Sequence, residues 1–118
     1  MKNIVIILLL ALPTMVFSQT QTELNSTAAK NYLKADKALN VVYQSVLKKH
    51  AKDAAFIKSI KTAQKAWIVF RDAEMLAKFP HKDEAMYYGS IFGTLWNSDL
   101  EELTAKRTKE LKEYLVEH

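Results

Sequence analysis

Apolar residues recur every three or four positions along three stretches of the chain, which is the period of an amphipathic helix. The stretches cover about residues 27–49, 53–79 and 90–116. No segment alternates apolar and polar residues in the way that a half-buried strand does. The pattern therefore predicts an all-α fold, a small antiparallel three-helix bundle of the up-down-up type.

Helix boundary signals flank these stretches. The triplet Asn25-Ser26-Thr27 and the residue Asp53 are typical N-caps for the first two helices. Lys48 and Lys49 place positive charge at the end of the first helix, where the helix dipole favours it. Pro80 ends the second helix. Residues 19–25 are polar, and we expect them to form a loose lead-in.

A different pattern precedes the helices. Residues 1–3 are short and positive, residues 4–12 are apolar, and residues 16–18 read Val-Phe-Ser. This order is typical of a secretory signal peptide, and the apolar run is shorter than the roughly 20 residues that span a bilayer. We predict a signal peptide over residues 1–18, cleaved after Ser18, which leaves a periplasmic or secreted domain of residues 19–118 without an integral membrane segment. An uncleaved membrane anchor is the alternative.

Charge and cysteine content narrow the function classes. The net charge of +4 falls to +3 without the leader, because Lys2 is then lost from 17 basic residues against 13 acidic ones. So small a charge on an exported domain does not indicate nucleic-acid binding. The chain has no cysteine, which excludes thiol chemistry and zinc–cysteine sites. Its three histidines are far apart in sequence, so we predict no metal site and no cofactor.

Seven polar residues interrupt the apolar stripes, and Asp72 adjoins one of them: Asp36, Asn40, Gln64, Arg71, Glu74, Thr104 and Arg107, with Asp72 next to Arg71. A buried charge is costly unless it is paired, and a guanidinium binds two partners at once. We predict a structural polar network across the helices, with Asp36, Asp72 or Glu74 receiving the two arginines. The alternative is a catalytic or ligand site. It is disfavoured because the set has no nucleophile beside a histidine, so no catalytic residue is predicted.

The break between the second and third helices supplies a candidate partner-binding loop. Its residues are Asp83, Glu84, Tyr87, Tyr88 and Phe92. Tyrosine is frequent among the residues that dominate binding energy at interfaces, and an acidic pair complements a basic partner. In the alternative interpretation Tyr88, Ile91 and Phe92 fold back over the end of the bundle, because a small domain needs each large apolar residue in its core.

Four strings, taken in order, resemble a known family. They are Ala35-Asp36-x-x-Leu39-Asn40-x-x-Tyr43, Gln64-x-x-Trp67-x-x-x-Arg71-Asp72-x-Glu74, Gly89-Ser90 and Thr104-x-x-Arg107-x-x-x-Leu111. Together they resemble the LprI-like lysozyme inhibitor N-terminal domain over nearly all of residues 19–118. The resemblance implies a small helical envelope protein of bacteria that binds another protein and is not an enzyme. Relatives commonly carry two cysteines where this chain has Met75 and Asp99, so the disulfide between helices two and three is absent.

The expected function is therefore protein–protein binding in the bacterial envelope, with lysozyme inhibition as the activity that the resemblance implies. The alternative is a periplasmic interaction, scaffold or immunity-type module with an unknown protein partner and no effect on lysozyme. An exposed apolar patch away from the loop would favour that alternative. An enzyme is disfavoured, because a bundle of this length has little room for a pocket.

Overall fold

The computed structural model describes the backbone of residues 2–117 and the side chains of residues 20–84 and 86–117. The elements in chain order are α1 (Lys2–Lys49), α2 (Ala54–Lys78), α3 (Glu84–Tyr88), α4 (Phe92–Lys112) and a 3-10 turn (Glu113–Leu115). No strand occurs in residues 2–117, and the all-α prediction is confirmed. The predicted signal peptide, residues 1–18, lies outside the described side chains, so its cleavage after Ser18 stays a prediction.

The start of the first helix was predicted wrongly. Helix α1 is already formed well before residue 27, and the polar residues 20–26 belong to it. No glycine or proline interrupts this segment. The Asn25 side chain donates to the Ser90 carbonyl oxygen at 3.2 Å and accepts a hydrogen bond from the Thr94 hydroxyl. These two contacts satisfy the side-chain amide of Asn25. Asn25 therefore lies inside the helix and does not cap its N-terminus.

The second helix has the predicted boundaries. The Asp53 carboxylate accepts a hydrogen bond from the Phe56 amide at 3.1 Å and caps the N-terminus of α2. The helix ends at Lys78, two residues before Pro80. The following break differs from the expected loop, because residues Glu84–Tyr88 form the short helix α3. Local hydrogen bonds such as that from the Tyr87 amide to the Asp83 carbonyl oxygen form this turn of helix.

Helices α1 and α4 run in the same direction and make the most extensive contact in the molecule. Asn25 contacts the start of α4, while Lys49 donates to the Leu115 carbonyl oxygen at 2.7 Å beyond its end. Helix α2 runs the opposite way against α4. Its N-terminal Phe56 lies 5.3 Å from Tyr114, and Phe79 at its other end lies 5.5 Å from Phe92, measured between ring centroids.

Two apolar clusters fill the space between the three long helices. The lower cluster is centred on Leu39, Val46, Ile60 and Leu111. The upper cluster is centred on Met75, Phe79 and Leu100, with the aromatic side chains Tyr32, Tyr88, Phe92 and Trp96 around it. Within the described residues, no helix is long and apolar enough to cross a membrane.

Candidate functional site

The segment between α2 and α4 forms a surface at the end of the bundle where α2 ends and α4 begins. We call it the tip, and its residues are His81, Lys82, Asp83, Met86 and Tyr87, which line a shallow groove of about 270 Å³. Pro80 stops α2 just before the tip, and Gly89 closes α3 just after it. Gly89 has a φ of +77°, a backbone conformation that favours glycine, and this turn directs the chain back into α4.

Tyr88 anchors the tip to the upper cluster. Its ring lies 5.4 Å from Phe79 and 5.4 Å from Phe92, and its hydroxyl accepts a hydrogen bond from the His81 amide at 3.4 Å. Tyr88 follows the tip in sequence and also bonds to His81 at its start. One residue that packs against the upper cluster therefore fixes both ends of the tip. A surface fixed in this way loses little conformational entropy when a partner binds.

Two large side chains of the tip point away from the core. Met86 is 89% exposed and Tyr87 is 63% exposed. The Tyr87 ring stacks on His81 with ring centroids 3.6 Å apart, which fixes its direction. Asp83 is exposed beside them, while Glu84 is half-buried. The tip therefore presents an apolar thioether and an aromatic ring next to a carboxylate.

The five residues of the predicted loop thus divide between two roles. Tyr87 and Asp83 face solvent, whereas Tyr88 and Phe92 pack inward and Glu84 is intermediate. Met86 belongs to the exposed surface and was not among the predicted residues. If this segment is taken as a helix, the exposure of Met86 is predictable. Met86 is two positions before the inward-facing Tyr88 and so lies about 200° away from it around the helix.

The polar residues of the helices form two separate contacts. In the first, the Arg107 guanidinium donates to Gln64 at 3.0 Å across the α2–α4 contact and to Glu110 at 3.2 Å within α4. In the second, the Arg71 guanidinium donates twice to Asp72 at 3.1 Å and lies 5.3 Å from the centroid of the Trp67 ring. The two arginines therefore do not share one network.

The remaining residues of the predicted network stand apart from these contacts. Within the described part of the chain, Asp36, Asn40 and Glu74 make no hydrogen bond or ion pair. Asp36 and Asn40 line a shallow groove on the outer side of α1, together with Leu33 and Val41. Asp36 is half-buried and Asn40 is exposed, so both lie near the boundary between the packed side and the outer side of α1. The spacing of residues along the sequence does not locate that boundary.

The space beside the Arg71 contact is largely apolar. A pocket of about 240 Å³ beside Arg71 is lined mainly by apolar side chains, among them Tyr32, Met75 and Trp96. Its carboxylate, Asp72, is held by Arg71. No group of three or more potential metal ligands occurs among the residues that the structure describes.

Thr104 offers a stability test in this region. Its side chain is fully buried, and its hydroxyl has no hydrogen-bond partner. Burying an unpaired hydroxyl costs free energy, and valine has nearly the same shape without that group. We expect Thr104→Val to raise the free energy of unfolding by about 1 kcal/mol in urea titration. The control is Thr108→Val, which removes a 3.0 Å hydrogen bond to the Thr104 carbonyl oxygen and lacks this benefit. A loss of stability in Thr104→Val would contradict the prediction.

The sequence is similar to known proteins over most of its length. The family model described as lysozyme inhibitor LprI matches residues 15–111. An uncharacterized protein of Rhizobium meliloti is 36% identical over 108 residues, which cover 81% of this chain and 74% of that protein. No solved structure gives a significant match.

Proposed function

Because the chain belongs to the LprI lysozyme inhibitor family, we propose that it is an exported protein that inhibits lysozyme by binding it through the tip. The observation that carries this proposal is the exposure of Met86 and Tyr87 on an anchored support. Neighbouring large apolar side chains that a small domain leaves outside its core are available to a partner, and such patches mark interaction sites.

The chemistry of the tip suits a protein surface with a cleft. Interface hot spots are rich in tyrosine, and methionine adapts its shape to irregular apolar surfaces. Met86 and Tyr87 belong to the five-residue helix α3, and both are mostly exposed among the residues that the structure describes. We infer that these two side chains enter a concave, largely apolar part of the partner, such as the substrate groove of a polysaccharide-cleaving enzyme.

Charge contributes locally. A lysozyme of the strongly basic kind gains no attraction from the net charge of this protein, which is +4 for the full chain. At the tip itself, the exposed carboxylate of Asp83 and the half-buried Glu84 outweigh the exposed Lys82 and supply the complementary charge. We therefore propose that Asp83 orients the complex, while Met86 and Tyr87 supply most of the binding free energy.

The test is lysozyme activity on a cell-wall suspension, titrated with the purified protein. Stoichiometric inhibition supports the proposal, because a blocker without chemistry of its own acts one to one. The control is the same protein after heat denaturation, with its fold lost by circular dichroism. Undiminished lysis at a large molar excess of folded protein would overturn the proposal for that lysozyme.

One observation favours a second candidate, an interaction module of the envelope with another protein partner. Leu33 and Val41 are exposed on α1, away from the tip, and border the groove that Asp36 and Asn40 line. In that function α1 carries the contact and lysozyme is unaffected. Substituting Leu33 and Val41 by serine would then abolish capture of the partner from periplasmic extract, whereas changes at the tip would not.

A further inference from the structure

The outward face of α2 is apolar and uncovered. Val69 is 69% exposed and Leu76 is 63% exposed, and Phe70 beside them is exposed as well. These side chains point away from the core side of the same helix, where Ile60, Gln64 and Met75 are buried. So much exposed apolar surface on one helix is typical of an interface.

The other half of this face is made of small side chains. A shallow groove of about 600 Å³ runs over the N-terminal half of α2, and it is lined by Ala55, Lys58, Ser59, Thr62, Ala63 and Ala66. At about 100° per residue, the exposed residues Ala55, Ser59, Ala66, Ala73 and Ala77 lie along one line opposite the core. Large side chains at one end of the face and a groove at the other end complement each other when the helix is reversed.

We propose that this face binds the same face of a second copy of the chain, with the two α2 helices antiparallel and the two-fold axis at Ala66. In this pairing, position 66 + n of one helix lies at the level of position 66 − n of the other but on the opposite flank, so its neighbour on the same flank is one position away. Phe70 then lies against Ala63 of the second copy, and Val69 lies against Thr62. Each large side chain meets a small one on the same flank, and the two-fold operation repeats both contacts.

Charge on the flank of this face favours the same orientation. Lys58 and Lys65 lie on one flank of the N-terminal half, and Asp72 lies on that flank in the C-terminal half. The two-fold axis sets this flank of one copy beside the same flank of the other, with the two chains running in opposite directions. The C-terminal half of one flank therefore lies beside the N-terminal half of the other. The Asp72 side chain is 62% exposed and lies close in level to Lys58 of the second copy. In a parallel two-fold pair this flank of one copy lies opposite the other flank of the second copy, so Lys58 and Asp72 do not meet.

The absence of cysteine in this chain allows a direct test by disulfide trapping, because each introduced thiol is unique. In full-chain protein, Ala66→Cys is expected to oxidise rapidly to a covalent dimer, since residues on the axis fall within the separation that a disulfide needs. Ser59→Cys and Ala73→Cys should each pair poorly alone but form the mixed dimer when combined. The control is Ala105→Cys, exposed on α4. Self-pairing of Ser59→Cys as fast as Ala66→Cys would overturn the antiparallel register.

Sedimentation of the unmodified protein tests the dimer without a cross-link. We expect a monomer–dimer equilibrium that Ala66→Glu shifts to monomer, because two carboxylates then meet at the axis, while Ala105→Glu leaves it unchanged. Lys58→Asp and Asp72→Lys should each weaken the dimer, and together they should restore it. Circular dichroism shows that each variant remains folded. A chain that stays monomeric up to submillimolar concentration would overturn the proposal. The lysozyme titration is a separate readout, since the tip is not part of this face.

Discussion

Replacing Met86 and Tyr87 together by alanine is expected to weaken lysozyme inhibition by about a hundredfold while leaving the fold intact. Hot-spot side chains at an interface contribute about 1–2 kcal/mol or more each, and about 1.4 kcal/mol corresponds to a factor of ten. Both residues are mostly exposed in the free protein, so their loss removes little packing. We expect the free energy of unfolding to change by less than about 0.5 kcal/mol.

The measurement is the concentration of variant that halves lysozyme activity, read beside a thermal melt. Tyr114→Ala is the matched control, because Tyr114 is also a partly exposed tyrosine but lies beside Phe56 at the opposite end of the molecule. It should inhibit as the unmodified protein does. Full inhibition by the Met86/Tyr87 variant would exclude the tip as the binding surface, even if the protein does inhibit lysozyme.

Truncating Leu111 is expected to give the largest loss of stability of any change considered. Leu111 is fully buried in the lower cluster with Leu39, Val46 and Ile60, so it joins α4 to both other long helices. Leu→Ala at such a position costs about 2–5 kcal/mol, the higher values applying where the surroundings cannot close the cavity. Rigid helices on three sides favour the upper end, and domains of this size have only about 5–15 kcal/mol in total.

Urea unfolding followed by circular dichroism measures this loss. Leu33→Ala is the matched control, since it removes the same atoms from an exposed position on α1 and should cost well under 1 kcal/mol. Equal losses in the two variants would show that Leu111 is not packed as the structure has it. Inhibition by Leu111→Ala should persist wherever the variant is still folded, because the tip lies in the upper half of the molecule.

The sequence was sufficient to predict the helical class and the boundaries of α2, because both depend on local signals. The side-chain cap from Asp53 and the stop at Pro80 act within a few residues. The extent of α1 was not predictable in this way. Asn25 reads as a cap in isolation, and only its contacts with Ser90 and Thr94, far along the chain, place it inside a helix.

The same distinction applies to the polar residues. Gln64 and Arg107 were recognisable as a set because both interrupt an apolar stripe, and the structure brings them together. Asp36 and Asn40 interrupt a stripe as well, yet they remain at the outer edge of α1. Periodicity gives the angle of a residue around its helix, but it does not say which neighbouring helix covers that angle. The exposure of Val69 and Phe70 on α2 could not be predicted from the sequence for the same reason.

The pairing of α1 with α4 determines when the chain can fold relative to its synthesis. The residues that meet in this interface, such as Asn25 with Thr94 and His50 with Tyr114, are separated by 69 and 64 positions. Contacts so distant in sequence are slow to form, because the entropy of closing the intervening chain is lost first. Since α1 is synthesised before α4, the main interface can form only after α4 has left the ribosome. A protein that we propose to be exported benefits from this delay, because a nascent chain that still lacks α4 cannot complete its main interface before it is threaded across a membrane.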